Sequence, residues 1–238
     1  KWVDLTHELS PETPHWYGFK PLEGKLLFDY REGTPDDMMA PMRCIQYSVA
    51  SQYGTHVDVP LHFWGDGRDM SKITVKELVY PLVVVDKSKE CAENAEFTMT
   101  VADLEKWESE NGRIPEGAFV AFRSDWHKKS NLDNPDENGN PHYPGWSVDA
   151  IKWLVEERNI GAIGHEPADT DPSYVTTRED AYPYPGEQYI LETDRIQIEV
   201  MRNLDQVPAV GAMIVCAFPK LKDGTGFPAR CFAICPED

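Results

Sequence analysis

Hydrophobic residues along the chain follow two patterns that predict β-strands. Strict alternation with polar residues over four to eight positions is typical of a half-buried strand, whereas a short continuous apolar run is typical of a strand buried on both faces. The segment around Leu82–Val85 is such a continuous run. The predicted strands are Val3–Leu9, Cys44–Ala50, Tyr80–Asp86, Ala118–Arg123, Ile160–His165, Met213–Phe218 and Pro228–Ile234.

Two segments carry the start signals and the spacing of amphipathic helices. Thr100 precedes a helix predicted through Asn111, with Asp103 at the capping-box position. Ser147 caps a second helix, whose apolar residues fall at i, i+3 and i+4 from Ile151. A third helix, or a helix followed by a strand, is predicted over 193–203. Strands therefore outnumber helices, which favours one α/β domain over 1–238 with a mixed sheet.

Long stretches rich in proline, glycine and acidic residues interrupt this pattern. Residues 10–43 predict an extended irregular segment, and residues 127–146 predict a surface excursion. An irregular segment of that length in a compact domain is usually functional or mobile. The first of these segments also carries the aromatic residues Trp16, Tyr17 and Phe19.

Three chemically active side chains lie within seven positions of the segment Gly-Thr-His-Val-Asp-Val-Pro-Leu-His-Phe. On an extended strand His56 and Asp58 point to the same face, and His62 keeps that parity. An imidazole and a carboxylate side by side suit a divalent ion such as Zn²⁺ or Mn²⁺. The pair His-x-Asp also arises by chance, and a histidine on a strand is usually a polar residue with no metal.

The full string is far more specific, and it resembles the signature of the metal-dependent cyclase/hydrolase family that includes bacterial kynurenine formamidases and isatin hydrolases. The resemblance implies that His56 and Asp58 bind metal and that His62 is catalytic. It also implies a layered β/β/α sandwich of the swivelling type, where the pattern alone indicates only α/β. Weaker matches such as Phe122–Trp126 extend the resemblance along nearly the whole chain.

The chain departs from the family pattern at two metal-ligand positions. Gln52 stands where the family has its first histidine, four residues before the His-x-Asp pair. Glu199 matches a family glutamate of the second metal site, but twelve residues earlier stands Glu187, followed by Gln188, instead of a histidine. We therefore expect one divalent ion, Zn or Mn, completed by Gln188 or Glu187, with a second ion as the alternative. In the absence of the resemblance these glutamates would be ordinary solvated acids.

Other polar and aromatic residues are candidates for the substrate site. His165 follows an apolar strand, in the stretch that in the family lies beside the metal, and we expect it to act as a ligand, a proton shuttle or a hydrogen-bonded support. The following Asp169 and Asp171 could equally form a simple turn. Trp16, Phe63 and Trp126 are candidates for an aromatic wall that binds substrate, although most aromatic side chains in a chain of this kind serve packing.

Composition limits the partners. The chain of 238 residues carries 41 acidic and 23 basic residues, a net charge of −18. Nucleic acid and anionic membrane surfaces both require clustered Lys and Arg, so neither is expected as a partner. Five scattered cysteines predict reduced thiols in a cytoplasmic protein. The resemblance implies a homodimer or homotetramer acting on a small molecule.

The predicted function is that of a metal-dependent hydrolase. We expect it to cleave the C–N bond of an amide, formamide or lactam in a small, aromatic substrate, as an arylformamidase does, with His62 as general acid and base. Two alternatives remain. One is a metal-assisted lyase or cyclase in which His62 takes a proton from carbon, and the other is a metal-binding scaffold that has lost catalysis.

Overall fold

The computed structural model describes residues 1–31 and 42–237, which form thirteen strands and five α-helices. The strands are β1 (Trp2–Asp4), β2 (Glu23–Phe28), β3 (Cys44–Ser48), β4 (His56–Asp58), β5 (Val79–Asp86), β6 (Thr98–Met99), β7 (Phe119–Arg123), β8 (Gly145–Trp146), β9 (Ala162–His165), β10 (Ile196–Glu199), β11 (Ala212–Ala217), β12 (Gly226–Pro228) and β13 (Arg230–Ile234). The helices are α1 (Ser88–Glu93), α2 (Val101–Asn111), α3 (Val148–Glu156), α4 (Ser173–Thr176) and α5 (Pro185–Glu192).

Nine of the strands form one mixed sheet in the order β1-β13-β11-β5-β7-β9-β10-β4-β12. The central strands β5, β7, β9 and β10 run parallel to their neighbours, and the strands on either side pair antiparallel. The connections between the central strands carry α2, α3 and α5, as parallel pairing requires. The site strands β4 and β10 therefore lie next to each other near one end of the sheet.

Each face of the sheet contributes to its own hydrophobic core. On one face, side chains of β4 and β10 such as Val57 and Ile198 share a core with Ile214 and Ala233 of β11 and β13, so the two ends of a curled sheet pack together. On the other face, α2, α3 and α5 cover residues such as Val120 of β7. These layers confirm the predicted β/β/α architecture with a mixed sheet.

Elements with a strong local signal form where they were predicted. The α2 helix begins after Thr100, whose hydroxyl accepts the backbone N–H of Asp103, and the Asp103 carboxylate returns the capping-box bond. The α3 helix begins after Ser147 in the same manner, with the Ser147 hydroxyl accepting the backbone N–H of Ala150. The predicted strands at the centre of the sheet are also confirmed, with ends shifted by one or two residues.

Two predictions about local structure are wrong, and a third is right only in part. Residues 196–199 form the strand of the helix-then-strand alternative, but the helix, α5, ends upstream at Glu192. Residues 23–28 form β2, which pairs with β3 in a separate hairpin, within the segment 10–43 predicted to be irregular. Residues 32–41 of that segment lie outside the described residues. The opening strand ends at Asp4, well short of Leu9.

No helix within the described residues is long and apolar enough to cross a membrane.

Candidate metal centre

The register between two adjacent strands assembles the candidate site. β10 pairs antiparallel with β4, so that Glu199 lies opposite His56 and Gln197 lies opposite Asp58. The intervening residue of each strand points into the core between the sheet ends. Because side chains alternate along a strand, the four polar side chains share the opposite face, toward α5. All four are buried, at most 4 % exposed.

The first turn of α5 adds a third carboxylate to this face. Glu187 is 4 % exposed. The carboxylate of Asp171 accepts the backbone N–H groups of Gly186 and Glu187 at 2.9–3.1 Å, which fixes the start of the helix. Gly186 is needed at this contact, because a Cβ there would lie 2.8 Å from Asp171 Oδ1. Burial raises the pKa of Asp171 to about 6, against the lowering effect of these backbone donors.

The ring of His56 is oriented so that one nitrogen faces only carboxylates. Its Nδ1 is 2.8 Å from the carbonyl oxygen of Gly54, so Nδ1 carries the proton that this bond needs. Its Nε2 lies 3.3 Å from Asp58 Oδ2 and 3.4 Å from Glu199 Oε2, buried and without a hydrogen-bond partner among the described residues. Asp58 Oδ1 is likewise buried and unpartnered in the described chain. An unpartnered nitrogen lone pair facing carboxylate oxygens fits a divalent cation.

The negative charge of the buried carboxylates also supports a divalent cation at this site. Burial would lower the pKa of His56, but the carboxylates of Asp58 and Glu199 outweigh it and hold that pKa well above its usual value. Burial, and then the charge of Glu199, raises the pKa of Glu187. Without a metal the site must therefore take up protons to offset the repulsion among its carboxylates.

Gln197 is the residue that the sequence reasoning missed. Its side-chain nitrogen donates toward Asp58 Oδ2 at 3.2 Å, Glu187 Oε1 at 3.0 Å and Glu199 Oε1 at 3.1 Å, and its oxygen accepts the hydroxyl of Thr170 at 2.7 Å. It is the central member of the group. Its amide also carries an oxygen, a ligand type that hard divalent ions accept. The signal was a polar residue two positions before Glu199, on the same strand face.

His62 lies at the edge of this group, on a 3-10 turn over Pro60–His62 and not on an extended strand as predicted. Its Nε2 is 3.9 Å from Asp58 Oδ1 and 3.8 Å from Glu187 Oε1. Its side chain is 28 % exposed, whereas that of His56 is 4 % exposed. His62 is thus the histidine of the group that a substrate can reach.

A cavity of about 210 Å³ opens beside these residues. Aromatic side chains form much of its wall, and the acidic and imidazole groups lie on the other side. The lining residues are Trp16, Phe19, Gln52, His56, His62, Phe63, Ala168, Asp169, Tyr184, Glu187 and Glu199. The predicted substrate-binding residues Trp16 and Phe63 therefore lie on the cavity.

Three of the predicted site residues lie elsewhere. Gln188 is on the outer side of α5, where its amide donates to Glu192 at 2.6 Å, so it does not complete the metal site. Trp126 is 1 % exposed, and its indole N–H donates to the carbonyl of Leu132, so it is a core residue and not part of the aromatic wall.

His165 is also off the cavity lining. It is fully buried, with Nε2 3.2 Å from Glu199 Oε1, so it supports that carboxylate from behind and does not reach substrate. Of the three roles considered for His165, the geometry favours the hydrogen-bonded support.

Gln52 lines the cavity, and neighbouring side chains hold its amide group there. Its amide oxygen accepts the hydroxyl of Ser51, and its amide nitrogen lies 3.4 Å from the hydroxyl of Thr225. Gly226, opposite Asp58 on β12, makes room for it, because a Cβ at that position would lie 2.5 Å from Gln52 Nε2. Because the amide oxygen of Gln52 accepts the Ser51 hydroxyl, the role of Gln52 as a metal ligand stays a prediction.

A second cluster of Asp125, His127 and Glu166 has metal-like spacing but is already satisfied. Asp125 is ion-paired to Arg123 and Lys128 at 2.8 Å. One oxygen of Glu166 accepts backbone N–H groups at 2.9 and 3.1 Å, and the other lies 2.6 Å from His127 Nδ1. A cation would have to break these contacts, so the cluster is a structural network.

A buried imidazole–carboxylate group, an accessible histidine and a small aromatic cavity together define the class of metal-dependent hydrolases. The comparisons with known proteins agree. The sequence pattern of the family described as putative cyclase matches residues 3–172. The chain is 32 % identical to isatin hydrolase from Roseibium aggregatum over 254 aligned positions, which cover 99 % of this chain and 92 % of that protein.

More distant and structural relatives extend the agreement. Kynurenine formamidase from Bacillus cereus is 23 % identical over 172 residues, 72 % of this chain and 71 % of that protein. The solved structure of isatin hydrolase A from Labrenzia aggregata bound to benzyl benzoate superposes with a TM-score of 0.88 at 34 % identity, covering 100 % of this chain and 94 % of that one. The chain belongs to the putative cyclase family, and it is a hydrolase that acts on C–N bonds.

Proposed function

We propose that the protein hydrolyses the ring amide of a small aryl lactam, with isatin as the model substrate. The observation that carries this proposal is the position of His62, between the buried carboxylates at 3.8–3.9 Å and the aromatic cavity. The similarity to isatin hydrolase along 99 % of the chain favours a lactam over the formamide of the more distant formamidases.

The size and lining of the cavity support a small flat substrate. Its volume of about 210 Å³ is below the roughly 300–1,000 Å³ of pockets that hold drug-sized ligands. Phe63 and Tyr184 meet edge to face with ring centroids 5.7 Å apart, and Trp16 and Phe19 meet similarly at 5.1 Å. Such paired rings give an aromatic substrate both faces and edges to contact.

The residues of the chain divide the chemical work. His56, Asp58 and Glu199 would hold one divalent ion, with Gln197 within reach. When bound, the ion lowers the pKa of a water molecule and polarises a carbonyl oxygen. His62 takes a proton from the attacking water and then gives it to the leaving nitrogen. His165 keeps Glu199 in place.

We propose a single metal ion, manganese or zinc. The first group of potential ligands is His56, Asp58 and Glu199, and the second is Asp58, His62 and Glu187. Both groups share Asp58, but only the first contains the buried, unpartnered nitrogen of His56. A second ion would also engage His62 and remove the base. One equivalent of metal per chain by elemental analysis is the expected result.

The test combines metal content with turnover. Purified protein loaded with Mn²⁺ or Zn²⁺ is expected to open isatin to isatinate, and treatment with a chelator should abolish this activity. His62→Ala should lower kcat by about 10²–10⁴-fold, the usual contribution of a general acid–base residue, while retaining its metal. His142→Ala is the matched control, because His142 is partly exposed and lies outside both the cavity lining and every group with metal-like spacing.

Each alternative function gives a distinct outcome. A product heavier than the substrate by one water supports hydrolysis, whereas an unchanged total mass supports a lyase or cyclase. Hydrolysis of formylkynurenine but not of isatin would show a formamidase. Full activity of metal-loaded His62→Ala would refute the role of His62, and no turnover on a broad amide and lactam panel would favour a scaffold.

We also propose that the β2–β3 hairpin mediates a homodimer or homotetramer. Every residue of β2 is exposed, and among the described strands β2 and β3 pair only with each other. Two-stranded hairpins are marginal in water unless something covers them, and β2 exposes Leu26, Leu27 and Phe28. Leu26→Glu should shift the particle mass in light scattering to that of a single chain, and an unchanged mass would refute this surface.

A reducing compartment such as the cytoplasm is part of the proposal. All five cysteines are free thiols, and four of them are buried. Structural disulfides are common in oxidising compartments and rare in the cytosol. Location of the tagged protein in the cytosolic fraction of its native cell is the expected result.

A further inference from the structure

One carboxylate on the cavity wall belongs to neither group of potential metal ligands. Three carboxylic acids line the cavity, and two of them, Glu187 and Glu199, are members of the metal groups. The third is Asp169, in the loop that follows β9. A largely buried carboxylate costs free energy unless hydrogen bonds or charges offset it. The metal centre therefore does not explain why Asp169 lies on the cavity wall.

Asp169 is held firmly by one of its two oxygens. Its Oδ2 accepts the hydroxyl of Tyr143 at 2.6 Å, and that hydroxyl also lies 2.6 Å from Thr176 Oγ1. Tyr143 is itself 4 % exposed and is tied to Ser173 through backbone and side-chain bonds of 3.1 Å. The carboxylate is thus anchored from behind by a buried phenol, which is how an orienting residue is supported.

The other oxygen, Oδ1, accepts no hydrogen bond from the described residues, and it is not among the buried unpartnered atoms. The next residue, Thr170, donates to Gln197 at 2.7 Å and lies 3.2 Å from Glu199 Oε1. Asp169 lines the same cavity as His56, His62, Glu187 and Glu199, and its neighbour Thr170 contacts the metal group.

An aryl lactam presents carbonyl oxygens that a cation can bind and an N–H group that needs an acceptor. A buried N–H left without an acceptor loses the free energy of a hydrogen bond. Gln52, the other amide or acid on the wall outside the metal groups, already uses its oxygen for Ser51. We propose that Asp169 accepts the N–H of the scissile amide and so selects N–H lactams over N-substituted ones. This inference rests on the proposed lactam hydrolysis.

The test compares isatin with N-methylisatin in the metal-loaded enzyme. Asp169→Asn keeps the shape and an oxygen for Tyr143 but removes the carboxylate, and both proteins are assayed above about pH 8, where the carboxylate is ionised. We expect kcat/KM for isatin to fall about 10- to 100-fold, the range for a hydrogen bond to a charged group, and kcat/KM for N-methylisatin to change less than about threefold. The quantity that matters is the ratio of kcat/KM for isatin to kcat/KM for N-methylisatin. A change in this ratio isolates the contact to the substrate N–H, as in a double-mutant cycle.

Two further variants separate recognition from structure. Burial, and then the charge of Glu199, raises the pKa of Asp169 to about 7, and the charge of Asp133 adds a smaller effect in the same direction. Asp133→Asn is the matched control, because Asp133 is off the cavity lining. It should leave the isatin to N-methylisatin ratio unchanged. Tyr143→Phe keeps the carboxylate but removes its anchor, and it should lower the ratio part of the way. Metal content and thermal unfolding of each variant verify that the fold persists.

Every outcome decides the question. An unchanged ratio in Asp169→Asn, with both substrates affected equally, would overturn the inference and make Asp169 a structural anchor for the Tyr143 loop, while the proposed function stands. A ratio that shifts equally in Asp133→Asn would assign the effect to charge and overturn it as well. Wild-type protein that hydrolyses neither compound would refute the proposed function and the inference together.

Discussion

Replacing Gln197 with leucine removes the donor at the centre of the carboxylate group. The Gln197 nitrogen lies 3.0–3.2 Å from oxygens of Asp58, Glu187 and Glu199. A side-chain amide has two N–H hydrogens, so at most two of the three carboxylates receive a direct bond. At about 1.5–3 kcal/mol for each hydrogen bond to a charged group, the variant should lose about 3–6 kcal/mol of unfolding free energy in the metal-free state. Because domains are stable by only about 5–15 kcal/mol, this loss is large.

The assay is urea unfolding in the presence of a chelator, followed by tryptophan fluorescence and circular dichroism. Coincident transitions in the two signals are needed for a single free energy to be defined. Gln188→Leu is the matched control, since Gln188 is on the outer side of α5 and its side-chain amide donates to the exposed Glu192 at 2.6 Å. Its unfolding free energy should stay within about 0.5 kcal/mol of the wild type.

A loss below about 1 kcal/mol in Gln197→Leu would refute the reasoning. It would mean that bound protons relieve the repulsion among the carboxylates without help from the amide. The raised pKa of Glu187, caused by burial and then by Glu199, provides the route for such proton uptake. Repeating the measurement at a pH one to two units higher separates the two explanations, because protons become scarce there and an amide donor does not.

Three further predictions concern pH, packing and capping. Burial, and then the charge of Arg202, lowers the pKa of His7 to about 4. Between pH 6.5 and 4 the unfolded chain therefore binds a proton that the native state does not, and the native state loses stability as the pH falls. The Tm of His7→Gln should decrease less than that of the wild type when the pH is lowered from 6.5 to 4.5. Gly226→Ala should weaken Mn²⁺ binding in a calorimetric titration, because its Cβ would clash with the backbone carbonyl oxygen of Val57 and lie 3.1 Å from Asp58 Oδ1. Thr100→Ala should cost about 1 kcal/mol in urea unfolding through loss of the α2 cap.

Elements whose signal is local could be predicted from sequence. The cap at Thr100 and the apolar spacing after Ser147 lie within a single turn of chain, and both helices begin where these signals indicate. The segment 193–203 was ambiguous because β10 is only four residues long. Two alternations do not distinguish a strand from part of a helix, and pairing with β4 and β9 decides the outcome.

The strand β2 was missed for a different reason, whereas its partner β3 lies within the predicted strand Cys44–Ala50. All six residues of β2 are exposed within the chain, so no core imposes a period of two on its sequence. Its pattern Glu-Gly-Lys-Leu-Leu-Phe has polar residues first and apolar residues last. Sequence patterns of this kind report burial more than backbone conformation, and a strand without a buried face gives no signal.

The residues of the candidate site also differ in whether a local sequence pattern could predict them. His56, Asp58 and His62 are close in sequence, and their contiguous motif was sufficient to predict that they act together. Gln197 reaches Asp58 across 139 residues of chain through the register of two strands. Glu187 arrives only because Asp171 holds the start of α5. Contacts of this range depend on the whole fold, so Glu187 was a candidate only through the family spacing to Glu199, and Gln197 was not predicted at all.

One physical signal could still have connected the two strands. β10 lies inside a sheet whose faces are covered by the helices on one side and by the curled sheet on the other, so every residue of Ile-Gln-Ile-Glu is buried. A glutamine and a glutamate are costly on such a strand unless they are satisfied. The strand His-Val-Asp, equally buried, has the same cost. Two covered strands that each alternate apolar and polar residues offset that cost most readily by placing their polar faces side by side, where a cation can bind.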